Sequence, residues 1–289
     1  MIKKRGILIL LAMLIPYLSG CVKLALQASP SLIPHLTGAI FEECDVELAK
    51  QALPSDLKLM EGLLKNDPHS KQILTALCMG FTGYAMLFVE EDAPDRASRL
   101  YLRAKEYGLR ALGPGAGMLG KPGVKKETLR GVLSLLGEEE LEALFWTAMS
   151  WNAWLNLNLD KPAALAQLPA AQACLERVME IKPDYFYGTP YILMGSILAS
   201  MPATLGGKPA RAKAYFEKAI HSSQGKFFLA QYYFAKYYAV RVQDKNLFVK
   251  LVREVESAPS FALKEVCLIN EVIREKTRRL MGISDELFF

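Results

Sequence analysis

Ala210-Arg211-Ala212-Lys213-Ala214-Tyr215-Phe216-Glu217-Lys218-Ala219 is the stretch on which the fold turns. Ala210, Ala214 and Ala219 recur at helical spacing, with Tyr215 and Phe216 beside them. A helix built this way offers small residues to a neighbour and aromatics along the edge of the contact. Outward from it, helix signals continue from about Thr37 and strand alternation is almost absent. The periodicity predicts helices over 38–52, 55–66, 70–90, 95–112, 138–159, 163–181, 188–201, 209–222, 226–242, 244–257 and 261–281. Several of them stop alike, at Asn66-Asp67-Pro68, at Ile181-Lys182-Pro183 and at Ser257-Ala258-Pro259. Proline cannot continue a helix already under way and pushes the residue before it out of helical geometry.

Small residues that admit a partner helix suit the second helix of a tetratricopeptide hairpin. The spacing is not a strict repeat, which predicts degenerate units, roughly four hairpins and a closing helix. The expected fold is therefore all-α, a degenerate tetratricopeptide-like helical-hairpin superhelix over residues 38–289. A non-repeating helical bundle is the alternative. Gly113-Pro114-Gly115-Ala116-Gly117-Met118-Leu119-Gly120-Lys121-Pro122-Gly123 interrupts the pattern. It is expected to be a long loop between hairpins, either functional or a plain spacer.

The N-terminus reads as a targeting segment. Lys3, Lys4 and Arg5 precede the apolar run Ile7 to Ile15, and Leu18-Ser19-Gly20-Cys21 follows. A charged start, a short apolar core and small residues before a cut describe a secretory signal peptide over residues 1–20. The run is too short to span a bilayer, which needs roughly 20 residues. The residues before Cys21 resemble a bacterial lipobox, which implies acylation of Cys21. Two or three acyl chains hold a protein stably at a membrane where one does not. Residues 21–37, with Pro30 and Pro34, are expected to tether the lipid to the body.

Lys3, Lys4 and Arg5 are the only charges in residues 1–20, so the net charge falls by three, from +5 to +2, once they are removed. That is too near neutral to suggest nucleic acid or a polybasic membrane patch. No stretch after residue 20 resembles a membrane span. Cys44, Cys78, Cys174 and Cys267 lie far apart in apolar helical contexts, with no Cys-x-x-Cys pair. Buried free thiols are the expectation, and an oxidising envelope leaves disulfides open.

The motifs of catalysis are incomplete. Gly115-x-Gly117-x-x-Gly120 has no strand before it and no βαβ unit around it. Gly206-Gly207-Lys208 lacks the upstream glycine, and Pro209 replaces the Ser or Thr that would hold magnesium. Ser223-x-x-Lys226 has no Ser-Asp-Asn or Lys-Thr-Gly after it. His35, His69 and His221 have no second ligand at helical spacing, so no metal is expected. Glu138, Glu139 and Glu140 open a helix, where carboxylates oppose the amide dipole. No cofactor and no enzymatic activity are expected.

Two helices have unusual surfaces. In 226–242, Phe227, Phe228, Tyr232, Tyr233, Phe234, Tyr237 and Tyr238 sweep about 260° at 100° per residue. A helix with one core face needs a narrower stripe, so this one is contacted on several sides or lines a cleft. In 138–159, Trp146, Trp151 and Trp154 accompany Asn152 and Asn156, one turn apart on an otherwise apolar helix. Buried amides need partners, from nearby backbone or from a bound solute. The candidate cleft residues are Trp146, Trp151, Asn152, Asn156, Tyr187, Tyr191, Tyr233 and Tyr237, with Gly206 and Gly207 in a turn nearby. Core packing is the competing reading of each.

In order along the chain, these features resemble the T-component of TRAP transporters, the TatT lipoproteins. The resemblance rests on Phe145-Trp146 through Trp154, Lys182-Pro183-Asp184-Tyr185-Phe186-Tyr187-Gly188, Gly195, Pro202 through Gly206-Gly207, and Ala210 through Ala219. It continues in Tyr237-Tyr238-Ala239-Val240, Phe248-x-x-Leu251-Val252, Asn270 and Arg278-Arg279-Leu280. Leu63-Leu64 and Tyr84 match more loosely, and Tyr191 stands where the family often has histidine. The resemblance implies a lipid-anchored homotrimer in the bacterial envelope, facing the periplasm, with a cleft or pore in each subunit. It implies a periplasmic TRAP solute-binding protein as partner and transfer of a small ligand between them. A tetratricopeptide scaffold lipoprotein for envelope or pilus assembly is the alternative. One closed aromatic cleft holding Trp151, Tyr187 and Tyr233 would favour the first, and an open polar groove the second.

Overall fold

A computed structural model describes residue 29 and residues 31–121, 123–202, 206–259 and 261–288. The segment 1–20 and Cys21 lie outside the described residues. The described chain is all-helical, with no strand. Helix α1 spans Leu32–Glu42, α2 Val46–Leu64, α3 Lys71–Tyr84, α4 Pro94–Ala111, α5 Lys126–Ser134 and α6 Leu141–Asn156. Then come α7 Pro162–Leu165, α8 Leu168–Ile181, α9 Tyr185–Ser200, α10 Pro209–Ser222, α11 Leu229–Tyr233, α12 Lys245–Ser257, α13 Cys267–Gly282 and α14 Ser284–Leu287.

The boundaries follow local chemistry, and several differ from the sequence expectation. Helix α1 begins at Leu32, inside the stretch read as a tether. The break expected after residue 52 lies instead at Glu43-Cys44-Asp45. Asp45 caps α2 by accepting from the Glu47 and Leu48 amides. Helix α2 then runs through Pro54. An interior proline costs about 3 kcal/mol. Burial of Ala49, Leu53 and Leu57 along one face holds the helix together across it. The glycine-rich stretch is no loose spacer. Pro114–Met118 forms a 3-10 turn, with Ala116 and Leu119 buried beneath it. Helix α5 follows, unforeseen, and buries Leu129 and Leu133. Residues 163–181 divide into α7 and α8.

Sequence neighbours pack side by side: α2 on α3, α3 on α4, α6 on α8, α9 on α10 and α12 on α13. Helices α3 and α6 form the centre. Helix α6 exposes little beyond Glu142, Ala153 and Asn156. Its buried Thr147 and Ser150 hydroxyls donate back to the Ala143 and Thr147 carbonyls, which satisfies them without a partner helix. The helical run Lys71–Val89 is long and apolar enough to cross a membrane, contrary to the expectation that no later stretch resembles a span. It is 72% buried inside the protein, and this core position explains its composition.

The quoted alanine helix packs by a different face from the one expected. Ala212, Phe216 and Ala219 are buried in α10, while Ala210 and Ala214 face solvent. The close approach comes from glycines on α9. A methyl group on Gly195 would stand 3.1 Å from the Phe216 ring, and one on Gly188 would stand 3.2 Å from the Ala219 Cα.

The chain also returns to its start. Helix α13 packs on α1 and α2, and a disulfide joins Cys44, before α2, to Cys267 at the head of α13. These two cysteines are therefore not free thiols. Cys78 and Cys174 are free and buried, as expected.

Candidate functional site

Two helices contain π turns, in which one extra residue widens the helix and leaves a carbonyl without its usual amide. Such turns are frequent at functional sites. One, Ala85–Val89, prolongs α3; the other, Phe234–Ala239, prolongs α11. The Glu90 amide donates to the Ala85 carbonyl and the Val240 amide to Ala235, both five residues back. The freed Met86 carbonyl accepts from the Lys276 ammonium at 3.1 Å. Lys276 also pairs with Glu91 at 3.1 Å, so α13 pins the first π turn.

Between the two turns lies a cluster of tyrosines, carboxylates and ammonium groups. Tyr101, fully buried on α4, donates to Glu90. Tyr232 donates to Glu91 at 3.2 Å, and Arg279 stands 3.6 Å from the same carboxylate. Lys236 lies 3.5 Å from the Tyr232 hydroxyl and over the rings of Tyr232 and Tyr237, at 5.5 Å from each. Tyr233 and Tyr237 meet edge to face at 5.1 Å. Asn156 donates to the Tyr237 hydroxyl at 3.5 Å.

Burial pushes the hydroxyls of Tyr101, Tyr232, Tyr233 and Tyr237 above the ordinary phenol value, and the nearby carboxylates push them further. They stay protonated and able to donate. Burial lowers Lys236, while Glu90 and Glu91 partly restore it. Burial would raise Glu91, but Lys276, Lys236 and the Tyr232 hydroxyl together hold it below its ordinary value. A carboxyl depressed in the folded state adds stability above its unfolded pKa. That stability is lost as pH falls through the folded value. Glu91→Gln is therefore expected to flatten the fall in unfolding free energy between about pH 5 and pH 3. Urea unfolding across that range checks this, and an unchanged slope would contradict it.

The other residues singled out in the sequence lie elsewhere. Trp151 donates to Gln167 at 3.2 Å and carries Lys105 over its ring at 4.7 Å. Asn152 donates to the Ala148 and Ala171 carbonyls, so backbone satisfies this amide. Trp146 joins Phe41, Phe145 and Phe186. Tyr187 packs on Phe186 and Phe227, and Tyr191 on Tyr215 beneath Lys218. Trp151, Tyr187 and Tyr233 share no ring contact and occupy three separate side-chain groups. Gly206 takes φ +98°, and Gly207 lies so close to the end of α9 that a methyl group there would stand 1.9 Å from the Met201 carbonyl oxygen. Only glycine fits that turn.

Sequence reasoning missed Glu90, Glu91, Tyr101, Lys236 and Lys276. One signal was available. Lys276 lies one turn from Val272 and one from Leu280, so it interrupts an apolar face.

Asn270, quoted in the resemblance, accepts from the Phe228 amide and donates to the Lys226 carbonyl, at 3.0 and 2.8 Å. It thereby fixes where α11 starts.

The family described as TRAP transporter T-component matches residues 42–288. An uncharacterized protein of Treponema pallidum (strain Nichols) is 28% identical, over 63% of this chain. The match spans 63% of that relative's length, under two thirds of it.

Proposed function

The chain belongs to the TRAP transporter T-component family, and on that premise we propose that it is a lipid-anchored accessory subunit of a TRAP-type uptake system. It binds a periplasmic solute-binding protein and passes a small ligand through a cleft or pore. It is a transport component and not an enzyme. It works in the bacterial envelope, held by Cys21 and facing the periplasm, as a homotrimer of degenerate tetratricopeptide-like superhelices. A family match over nearly the whole helical body carries this reading. The Cys44–Cys267 disulfide supports the compartment, since such bonds persist where the surroundings are oxidising. We assign ligand handling to Tyr233, Tyr237 and Asn156, with Lys236 beside them. The Tyr233 hydroxyl has no hydrogen-bond partner among the described residues, which leaves a donor for a ligand.

Deleting the gene is expected to lower uptake of the solute carried by the TRAP permease of the same cell. A plasmid copy should restore uptake, and a Tyr233→Phe, Lys236→Met copy should restore it poorly. Unchanged uptake in the deletion strain would overturn the proposal.

A further inference from the structure

A cleft lies away from the tyrosine cluster and is lined by none of its residues. It is a hollow of about 280 Å³ between α1, α3, the start of α6 and the start of α9. Its walls include Phe41, Trp146, Phe186 and Tyr185, with Thr75 and Glu142 among its polar groups. Three of the rings touch pairwise. Phe41 and Trp146 have centroids 6.3 Å apart, Phe41 and Phe186 5.7 Å, and Trp146 and Phe186 5.3 Å. Phe186 reaches this place because the chain is left-handed there, with φ 43° at Phe186 and 58° at Tyr187 before the glycine at 188.

Glu142 is the carboxylate of this cleft, and it has no hydrogen bond and no ion pair among the described residues. The lysine nearest in sequence to the cleft wall is committed elsewhere, since Lys71 binds the Glu139 carbonyl at 2.8 Å and the Glu140 carboxylate at 3.0 Å. Glu142 is exposed to solvent on one side, yet partial burial raises its carboxyl, and no cation among the described residues offsets it. The neighbouring carboxylates show what compensation looks like: Glu140 and Glu91 both have ammonium partners.

Electron-rich ring faces attract cations, and most strongly where water is thinned. Aromatic walls beside a carboxylate with no counter-ion among the described residues are complementary to one ligand class. We propose that this cleft binds a small organic ammonium ion, with the cation against the Phe41, Trp146 and Phe186 rings and its charge facing Glu142. A neutral apolar ligand would use the rings but not the carboxylate. An anion would be repelled.

Calorimetric titration of the purified protein with choline tests this. Saturable binding is expected, and none by the uncharged isostere in which carbon replaces the choline nitrogen. Glu142→Gln is expected to weaken binding by at least about tenfold, which is 1.4 kcal/mol. Glu142 makes no hydrogen bond or ion pair among the described residues, and losing a charge that burial disfavours should let the variant unfold at or slightly above the wild-type temperature, which a thermal melt checks. Phe41→Leu, which removes one wall, is expected to weaken binding as well. Absence of choline binding, equal binding by the isostere, or equal affinity in Glu142→Gln would each overturn the proposal.

Discussion

Replacing Cys44 and Cys267 together by serine is expected to lower the unfolding free energy by about 5 kcal/mol. The two residues are 223 positions apart, so the bond closes almost the whole helical body into one loop. In the chain-entropy account, a cross-link stabilises by restricting the unfolded chain, and more so for longer loops. Geometry on the folded side is favourable, with Cα atoms 5.1 Å apart, where α13 already packs on α1 and α2. Among the described cysteines no other pairing competes. Burial pushes the Cys78 and Cys174 thiols up to about 12, so they are unreactive until the protein unfolds. Guanidinium unfolding with and without a reductant measures the effect. The reductant should shift the wild type to the stability of the double variant and leave the variant unchanged. A wild-type curve insensitive to reduction would contradict the role assigned to the bond.

Lys276→Met is expected to cost about 3 kcal/mol. The ammonium group is 9% exposed and is held by the Met86 carbonyl and Glu91. Its loss leaves a carbonyl in the first π turn without a partner and a carboxylate short of its nearest charge. Glu91 keeps 32% exposure and Arg279 remains 3.6 Å away, which places the cost at the low end for a broken buried pair. Adding Glu91→Gln to Lys276→Met should recover part of the loss, since the uncompensated charge is then gone. Equilibrium denaturation of the three variants checks this. Strict additivity would mean that Lys276 and Glu91 are not coupled.

The helices were legible where apolar periodicity and caps coincide, as at Asp244, whose side chain accepts from the Leu247 amide to open α12. The π turns were not legible. Their sequences, Ala85–Val89 and Phe234–Ala239, continue the helical pattern without a break, and only tertiary contacts such as Lys276 to Met86 hold the widened turn. Proline misled at position 54, where burial of Leu53 and Leu57 outweighs the lost hydrogen bond. The broad aromatic sweep of residues 226–242 was a sound signal. Phe227, Phe228, Tyr232 and Phe234 are buried on several sides, and Tyr233 and Tyr237 reach the polar cluster. Its acidic and basic members come from the turn after the first π segment, from the second π segment and from α13, distant in sequence, and no spacing within one helix could announce them. Chain closure through α13 was equally invisible, because cysteines 223 positions apart do not declare their partner.

This chain is proposed to serve a TRAP transporter by binding its solute-binding protein. Affinity between the purified chain and the TRAP solute-binding protein of the same cell, measured by calorimetry, tests that most directly. A saturable complex is expected, one that a TRAP solute-binding protein from an unrelated system does not form. Weaker binding or altered ligand release is expected when Tyr233 and Lys236 are replaced. Absence of any complex, with both proteins folded and the ligand present, would contradict it.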